Sequence, residues 1–336
     1  MIVDTKQATQ DIIKCIKAKL PVMLHGDPGC GKSDIVHQIA GQYNLKLIDI
    51  RLSQIDPTEL NGFPSIKEDI ATYVPMDIFP LETTPLDKHA GFLVFLDEFN
   101  SASVAVQAAS YKLVLDKKVG QYNLHPNAAI VCAGNKTSNN AIVNRLSTAM
   151  QSRLIHLELG INIQAWIDWA TKAKIDHRII SYLHNRPELL HKFDPDHNDY
   201  TFASPRTWEF ASKLIKNKTD KLNEMTAVLS GTVSEAIARE FIMYAETYTR
   251  LPTIAQIMQD PVNTPIDDEP SMLFAVAHML AAHTTKQNIP TLMKYIERLP
   301  LEFETITLQD VIQKDKSMLE QPAIEQWVLV KGMDLF

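Results

Sequence analysis

The sequence predicts an α/β fold, with a parallel sheet covered by helices over residues 1–158 and helices alone beyond it. Three observations carry this reading. Short apolar runs alternate with stretches of helical periodicity up to about residue 158. One such alternation contains "HGDPGCGKSDIV" (25–36), a glycine-rich turn set between an apolar run and an amphipathic stretch. From about residue 160 the strand-like runs stop and helical spacing takes over.

Each element has its own justification. "MIVDTKQATQDIIKCIKAKL" reads as an amphipathic helix with Ile12, Ile13, Ile16 and Leu20 on one side. "LPVMLHG" is a short apolar run ending at the glycine turn, as a buried parallel strand over 21–25 should be. After the turn, Ile35, Val36, Ile39 and Ala40 fall at helical spacing. Further strands are predicted over 45–52, 91–98, 127–135 and 153–159. Between the second and third, the prolines and the alternating "IATYV" predict a hairpin or loop insertion and no core helix. Beyond 160, "IQAWIDWATKAKIDHRIISYLHNRPELLHKF", "SPRTWEFASKLIKN" and residues 221–248 are helical in pattern. Residues 251–270 carry four prolines and are expected to form an extended connection, with helices returning over 271–331. Trp166, Trp169 and Trp208 sit at helix-packing positions. His278 and His283 are five apart and do not share a helix face, which argues against a metal pair.

The glycine turn carries chemistry. Gly26, four residues, then Gly31-Lys32-Ser33 is G-x-x-x-x-G-K-[ST] without a mismatch. Gly26, Gly29 and Gly31 let successive N–H groups point inward as an anion-binding nest, and the following helix N-terminus favours phosphate. The expected nucleotide-contacting stretch is therefore Gly26, Asp27, Pro28, Gly29, Cys30, Gly31, Lys32, Ser33 and Asp34. Lys32 would reach the β- and γ-phosphates of ATP, and the Ser33 hydroxyl would sit on Mg²⁺. "FLVFLDEFN" delivers Asp97 and Glu98 at the C-terminal end of a buried strand, where open α/β sheets bind ligands. Asp97 would hold Mg²⁺ and Glu98 would orient and deprotonate the attacking water. "AIVCAGN" ends another strand in Asn135, placed to position that water or touch the γ-phosphate.

Composition bounds the partners. The 336 residues carry 45% hydrophobic and 22% charged residues, as a globular chain does. No apolar run approaches the 18 or more residues of a membrane span, and the first twenty residues lack the pattern of a signal peptide. Three cysteines, Cys15, Cys30 and Cys132, share no C-x-x-C spacing, which points to a reducing cytoplasm. A net charge of −7 with no basic stripe argues against nucleic-acid backbone as the main partner.

Taken in order, strand–loop–helix, strand-Asp-Glu and strand-Asn resemble the AAA+ ATPase core. "QIDPTELNGFP", the 63–90 insertion and "ELLHKFDP" resemble its MoxR branch. The resemblance implies an α/β nucleotide-binding domain over 1–158, an all-α lid over 159–216 and a helical extension over 217–336. "NRLSTAMQSRLIHLEL" (144–159) resembles the segment that offers an arginine to the neighbouring subunit's nucleotide, which implies Arg153 as arginine finger, with Arg145 near enough to serve instead. "TFASPRTWEF" (201–210) resembles the lid's second sensor, which implies Arg206 on the γ-phosphate in cis. "CAGNKTSN" departs from the Ala-Thr-Asn-Pro common in this branch. The implied assembly is a homo-oligomeric ring, hexameric by resemblance, acting on a protein partner that commonly has a von Willebrand factor A domain. A nucleic-acid motor or loader shares all the hydrolysis residues. A scaffold that uses nucleotide only to assemble would not need them.

Overall fold

The computed structural model describes residues 2–136, 144–196, 199–216, 222–246 and 250–331. They fall into two compact units, the described residues within Met1–Asn162 and Phe193–His197 and those within Ile163–Lys192 and Asn198–Phe336.

In chain order the first unit contains β1 (Ile2–Val3), α1 (Thr5–Lys17), β2 (Val22–His25), α2 (Lys32–Gln42), β3 (Leu45–Arg51) and α3 (Pro57–Asn61). It continues with β4 (Phe63–Lys67), β5 (Ile70–Val74), β6 (Gly91–Asp97), α4 (Val104–Asp116), β7 (Lys118–Val119) and β8 (Tyr122–Asn123). The last three elements are β9 (Ala128–Gly134), α5 (Thr148–Gln151) and β10 (Ile155–Leu159). A six-stranded, all-parallel sheet runs β1-β10-β2-β9-β6-β3.

The pleat sends successive side chains to opposite faces. Phe92, Val94 and Leu96 of β6 join Ile130 and Cys132 of β9 in one core with Leu60 and Leu113. Leu93 and Phe95 join Val131 and Ala133 in a second core with Ile12, Ile35, Val36 and Ile39. Both faces are thus dry, which is why these strands read as unbroken apolar runs. β4 and β5 make the expected hairpin, with Phe63, Ile66, Ile70 and Tyr73 exposed.

Two expectations need correction. The chain begins with a short edge strand, Ile2–Val3, paired to β10, and only then enters α1. That helix ends at Lys17, and Leu20 lies beyond it in the open, because Lys19 takes a left-handed φ of 60° and turns the chain away. Residues 251–270 are not wholly extended. They contain a short helix, α11 (Ile254–Gln259), begun by a Thr253/Gln256 capping box just after Pro252. The prolines bracket this helix without entering it.

The second unit is helical: α6 (Ile163–Lys172), α7 (His177–Asn185), α8 (Pro205–Ile215), α9 (Thr226–Val233), α10 (Glu235–Glu246) and α11. They are followed by α12 (Pro270–His283), α13 (Ile289–Ile296), α14 (Leu301–Lys314) and α15 (Pro322–Lys331). Trp208 is fully buried against Tyr182 and Phe241, with its indole N–H donating to the Leu189 carbonyl at 2.9 Å. Trp166 is buried beside the half-buried Trp169. Among the described residues no helix is long and apolar enough to cross a membrane.

Candidate active site

The strand order brings the ends of β2, β9 and β6 side by side. His25 pairs in register with Gly134, and Leu96 with Cys132, so the chain leaves all three strands at nearly one level. Beyond those ends lies the crevice where parallel sheets place their ligands.

The loop after β2 has the geometry of an anion nest. Gly29 and Gly31 have φ of 74° and 95°, a region that favours glycine. A side chain at Gly26 would meet the Cys30 sulfur at 2.8 Å. Gly31 caps α2 without any side-chain hydrogen bond, and Asp34 lies in the helix's first turn. Cys30 is buried under the loop, and burial pushes its thiol up, away from reactivity. Asp27 and Pro28 occupy the outer part of the loop, where the Asp27 carboxylate is 3.3 Å from the Lys136 ammonium.

Lys32 folds back into the loop. Its Nζ donates to the Gly26 carbonyl at 2.8 Å, the Asp27 carbonyl at 3.0 Å and Asn135 Oδ1 at 3.1 Å. Ser33 Oγ donates to Asp97 Oδ2 at 2.9 Å, across 64 residues of chain. A hydroxyl and a carboxylate oxygen held together at a phosphate-type loop are a donor set that suits Mg²⁺. The next residue, Glu98, leaves β6 in a left-handed conformation, φ 53°, with its N–H donating to Asp97 Oδ1 at 2.8 Å. The Ser53 hydroxyl donates to Glu98 Oε2. Lys32, Ser33, Asp97, Glu98 and Asn135 therefore meet as one group.

Arg145 and Arg153 belong to the first unit and Arg206 to the second. Arg153 is exposed just after α5, with Nη1 donating to the Ala149 carbonyl at 2.9 Å. Arg145, also exposed, lines a cleft of about 640 Å³ within the first unit, together with His25, Lys136 and His156. Arg206 stands exposed on the first turn of α8 in the second unit, where Ser204 caps the helix. The departure from Ala-Thr-Asn-Pro falls at Gly134 and Lys136, on either side of the retained Asn135, and the rest of the quoted stretch, 137–139, lies outside the described residues.

Several contributors went unread in the sequence. Ser53 and Asn100 carry no local signature, because their partners lie on strands that become neighbours only in the folded sheet. Asn100 is buried and bonds the backbone of Asn135. Lys136 bridges Asp27 and Glu158; burial works against its charge, yet the two carboxylates hold its pKa above the usual value. His25 stacks on His156 with Nε2 and Nδ1 2.9 Å apart, and burial, then His156, lowers its pKa.

Residues 21–154 match the sequence profile of the AAA domain (dynein-related subfamily). The parallel sheet with its phosphate-type loop and flanking helices is consistent with an AAA+-type architecture. The match supports a nucleotide-binding, hydrolase-type activity in general. Among solved structures, similarity extends to a RuvB variant of Thermotoga maritima, 15% identical over 78% of each chain with a TM-score of 0.40. A putative ATPase from Cytophaga hutchinsonii is 13% identical over 97% of this chain and 88% of its own, with a TM-score of 0.38. NtrX from Brucella abortus is 15% identical over 95% of this chain and 68% of its own, with a TM-score of 0.40. No curated protein sequence matches significantly.

Proposed function

We propose that this chain is a MoxR-like AAA+ ATPase that hydrolyses ATP at the subunit interfaces of a ring to remodel or activate a protein partner. The observation that carries it is the convergence of Lys32, Ser33, Asp97, Glu98 and Asn135 at the ends of three neighbouring strands. The loop N–H groups and Lys32 bind and orient the phosphates. Ser33 and Asp97 would hold Mg²⁺, which supplies charge neutralisation on the β- and γ-phosphate oxygens. Glu98, steadied by Ser53, takes the proton of the attacking water. Asn135 positions that water or the γ-phosphate, and Arg206 of the lid serves the same chain's nucleotide.

Arg153 is assigned to the neighbour's nucleotide, because its exposed place after α5 suits a trans contact. A ring, hexameric by resemblance, follows from that role. The exposed apolar side chains of the β4–β5 hairpin suit a protein partner better than a phosphate backbone, and the net charge of −7 agrees. A partner with a von Willebrand factor A domain, a cytoplasmic setting for the three free cysteines, and a lid at 159–216 followed by an extension at 217–336 complete the reading.

Glu98→Gln tests it. The amide keeps the shape but cannot take a proton, so ATP should bind, turnover should fall to background, and the ATP-bound assembly should persist in light scattering. Unimpaired turnover, or loss of ATP binding, removes Glu98 as the base. Tight DNA or RNA binding at physiological salt with stimulated turnover would favour a nucleic-acid motor instead.

A further inference from the structure

We infer that Asn100 is a positioning residue for hydrolysis, a role that rests on the ATPase reading above. Its side chain forms a two-point clamp on one peptide unit pair: Nδ2 donates to the Asn135 carbonyl at 2.6 Å, and Oδ1 accepts the Asn135 N–H at 3.1 Å. A carboxamide presents one donor and one acceptor side by side, so it matches a backbone residue in a way no hydroxyl or carboxylate can. Because the clamp uses only Asn135's backbone, the Asn135 side chain stays available to Lys32 Nζ.

The same residue ties down two more parts of the site. Asn100 lies three positions past Asp97, in a turn closed by the Ser101 N–H donating to the Glu98 carbonyl at 2.9 Å. Its own carbonyl accepts the Asn144 N–H at 2.6 Å, and Asn144 Nδ2 donates to the Ala102 carbonyl at 2.8 Å. The segment leading to Arg145 and Arg153 is thereby anchored on the turn that carries Glu98. Asn100 is only 3% exposed, so these bonds are shielded from water. Gly134 makes room for it: a Cβ there would lie 2.2 Å from Asn100 Oδ1. The missing Cβ at Gly134 thus leaves room for the clamp, and for Met23 Cε, which a Cβ would meet at 2.7 Å.

Mispositioning of about 1 Å near a reacting group costs about 100-fold in rate. Asn100→Ala should therefore lower kcat by roughly 10- to 100-fold while the ATP Kd stays within about threefold. Gly134→Ala, which displaces Asn100 without removing it, should show the same split, and the double variant should be no slower than the worse single one. Leu113→Ala, a truncation at a fully buried position of α4 that contributes no polar group to the site, is the stability control: it should lower the melting temperature yet keep kcat. If Asn100→Ala does not fold, Gly134→Ala carries the test alone. A kcat within threefold of wild type in both variants overturns the inference, as does a kcat loss matched by Leu113→Ala at equal destabilisation. Glu98→Gln in the same assay separates the two readings. If it remains active, Glu98 is not the base, and if the wild-type protein itself shows no turnover the ATPase reading fails; if Glu98→Gln is dead while the Asn100 and Gly134 variants are normal, only the positioning role fails.

Discussion

The Lys32 ammonium and the Asn135 carboxamide meet at 3.1 Å, although 103 residues separate them in the chain. That contact joins the loop after β2 to the end of β9, and it exists because the two strands are hydrogen-bonded neighbours. The lysine is held inside a ring of carbonyl oxygens where nucleotide phosphates would offer a stronger attraction.

Lys32→Ala is therefore expected to abolish turnover by removing phosphate binding. Truncating one partner of a buried charge pair costs about 2–5 kcal/mol, which corresponds to an ATP affinity weakened roughly 30-fold to several-thousand-fold. Equilibrium titration with a fluorescent ATP analogue measures it. Near-wild-type affinity and hydrolysis would show that the loop does not cradle phosphate.

The second unit should be acid-sensitive. His278 Nδ1 lies 2.6 Å from Asp310 Oδ2 and donates to it, and His184 Nδ1 is 3.1 Å from His278 Nε2. Farther along the same pair of helices, α7 and α12, His177 meets the edge of His283 beside Asp176 and Arg178. Burial, aided by neighbouring imidazoles, pushes both His177 and His184 down to about 4. An unfolded histidine titrates near 6.5, so between those values the unfolded chain binds protons that the folded chain refuses. Stability from keeping these rings neutral is full above pH 6.5 and is lost as pH falls toward 4. Each ring contributes a slope of up to about 1.4 kcal/mol per pH unit, less for the partly exposed His184. Melting temperatures between pH 7 and 4.5 should fall steeply, and His184→Gln should flatten the fall. An unchanged profile in that variant would remove His184 from the account.

How much could be read beforehand follows from which interactions are local. β2, β6 and β9 were legible because strands buried on both faces must be continuously apolar, as Leu93 through Leu96 are. Lys32, Ser33, Asp97 and Glu98 were legible because the loop and the strand end each carry a pattern within a dozen residues. β1 has two residues and no period to detect. α11 hid behind prolines that mark its borders, although Thr253 and Gln256 spell its capping box. Asn100 and Ser53 were illegible for a different reason. Each sits in an ordinary-looking turn, and its meaning is set by strand order, which places β9 beside β6 and β6 beside β3.

In the proposed ring, Lys32 and Arg153 belong to one active site but to different chains. Arg153 is exposed beyond α5, with its guanidinium resting on the Ala149 carbonyl, while Lys32 lies deep in its own loop. If Arg153 serves the neighbour, it neutralises charge developing on the transferred phosphoryl, a contribution worth about 10³–10⁵ in rate. Arg153→Ala should then bind ATP nearly normally and hydrolyse it very slowly. Mixing it with Lys32→Ala should restore part of the activity, because some interfaces pair an intact Lys32 with an intact Arg153. If Arg206 serves its own chain's nucleotide, Arg206→Ala should give no such rescue when mixed with Lys32→Ala, because every site in the mixture then lacks either Lys32 or Arg206. The measurement is ATPase rate across mixing ratios, with subunit exchange followed by fluorescence transfer. Normal hydrolysis by Arg153→Ala together with a dead Arg145→Ala would move the finger to Arg145, which lines the cleft beside Lys136 and His156. Full activity in both variants, from a monomer, would end the shared-site mechanism.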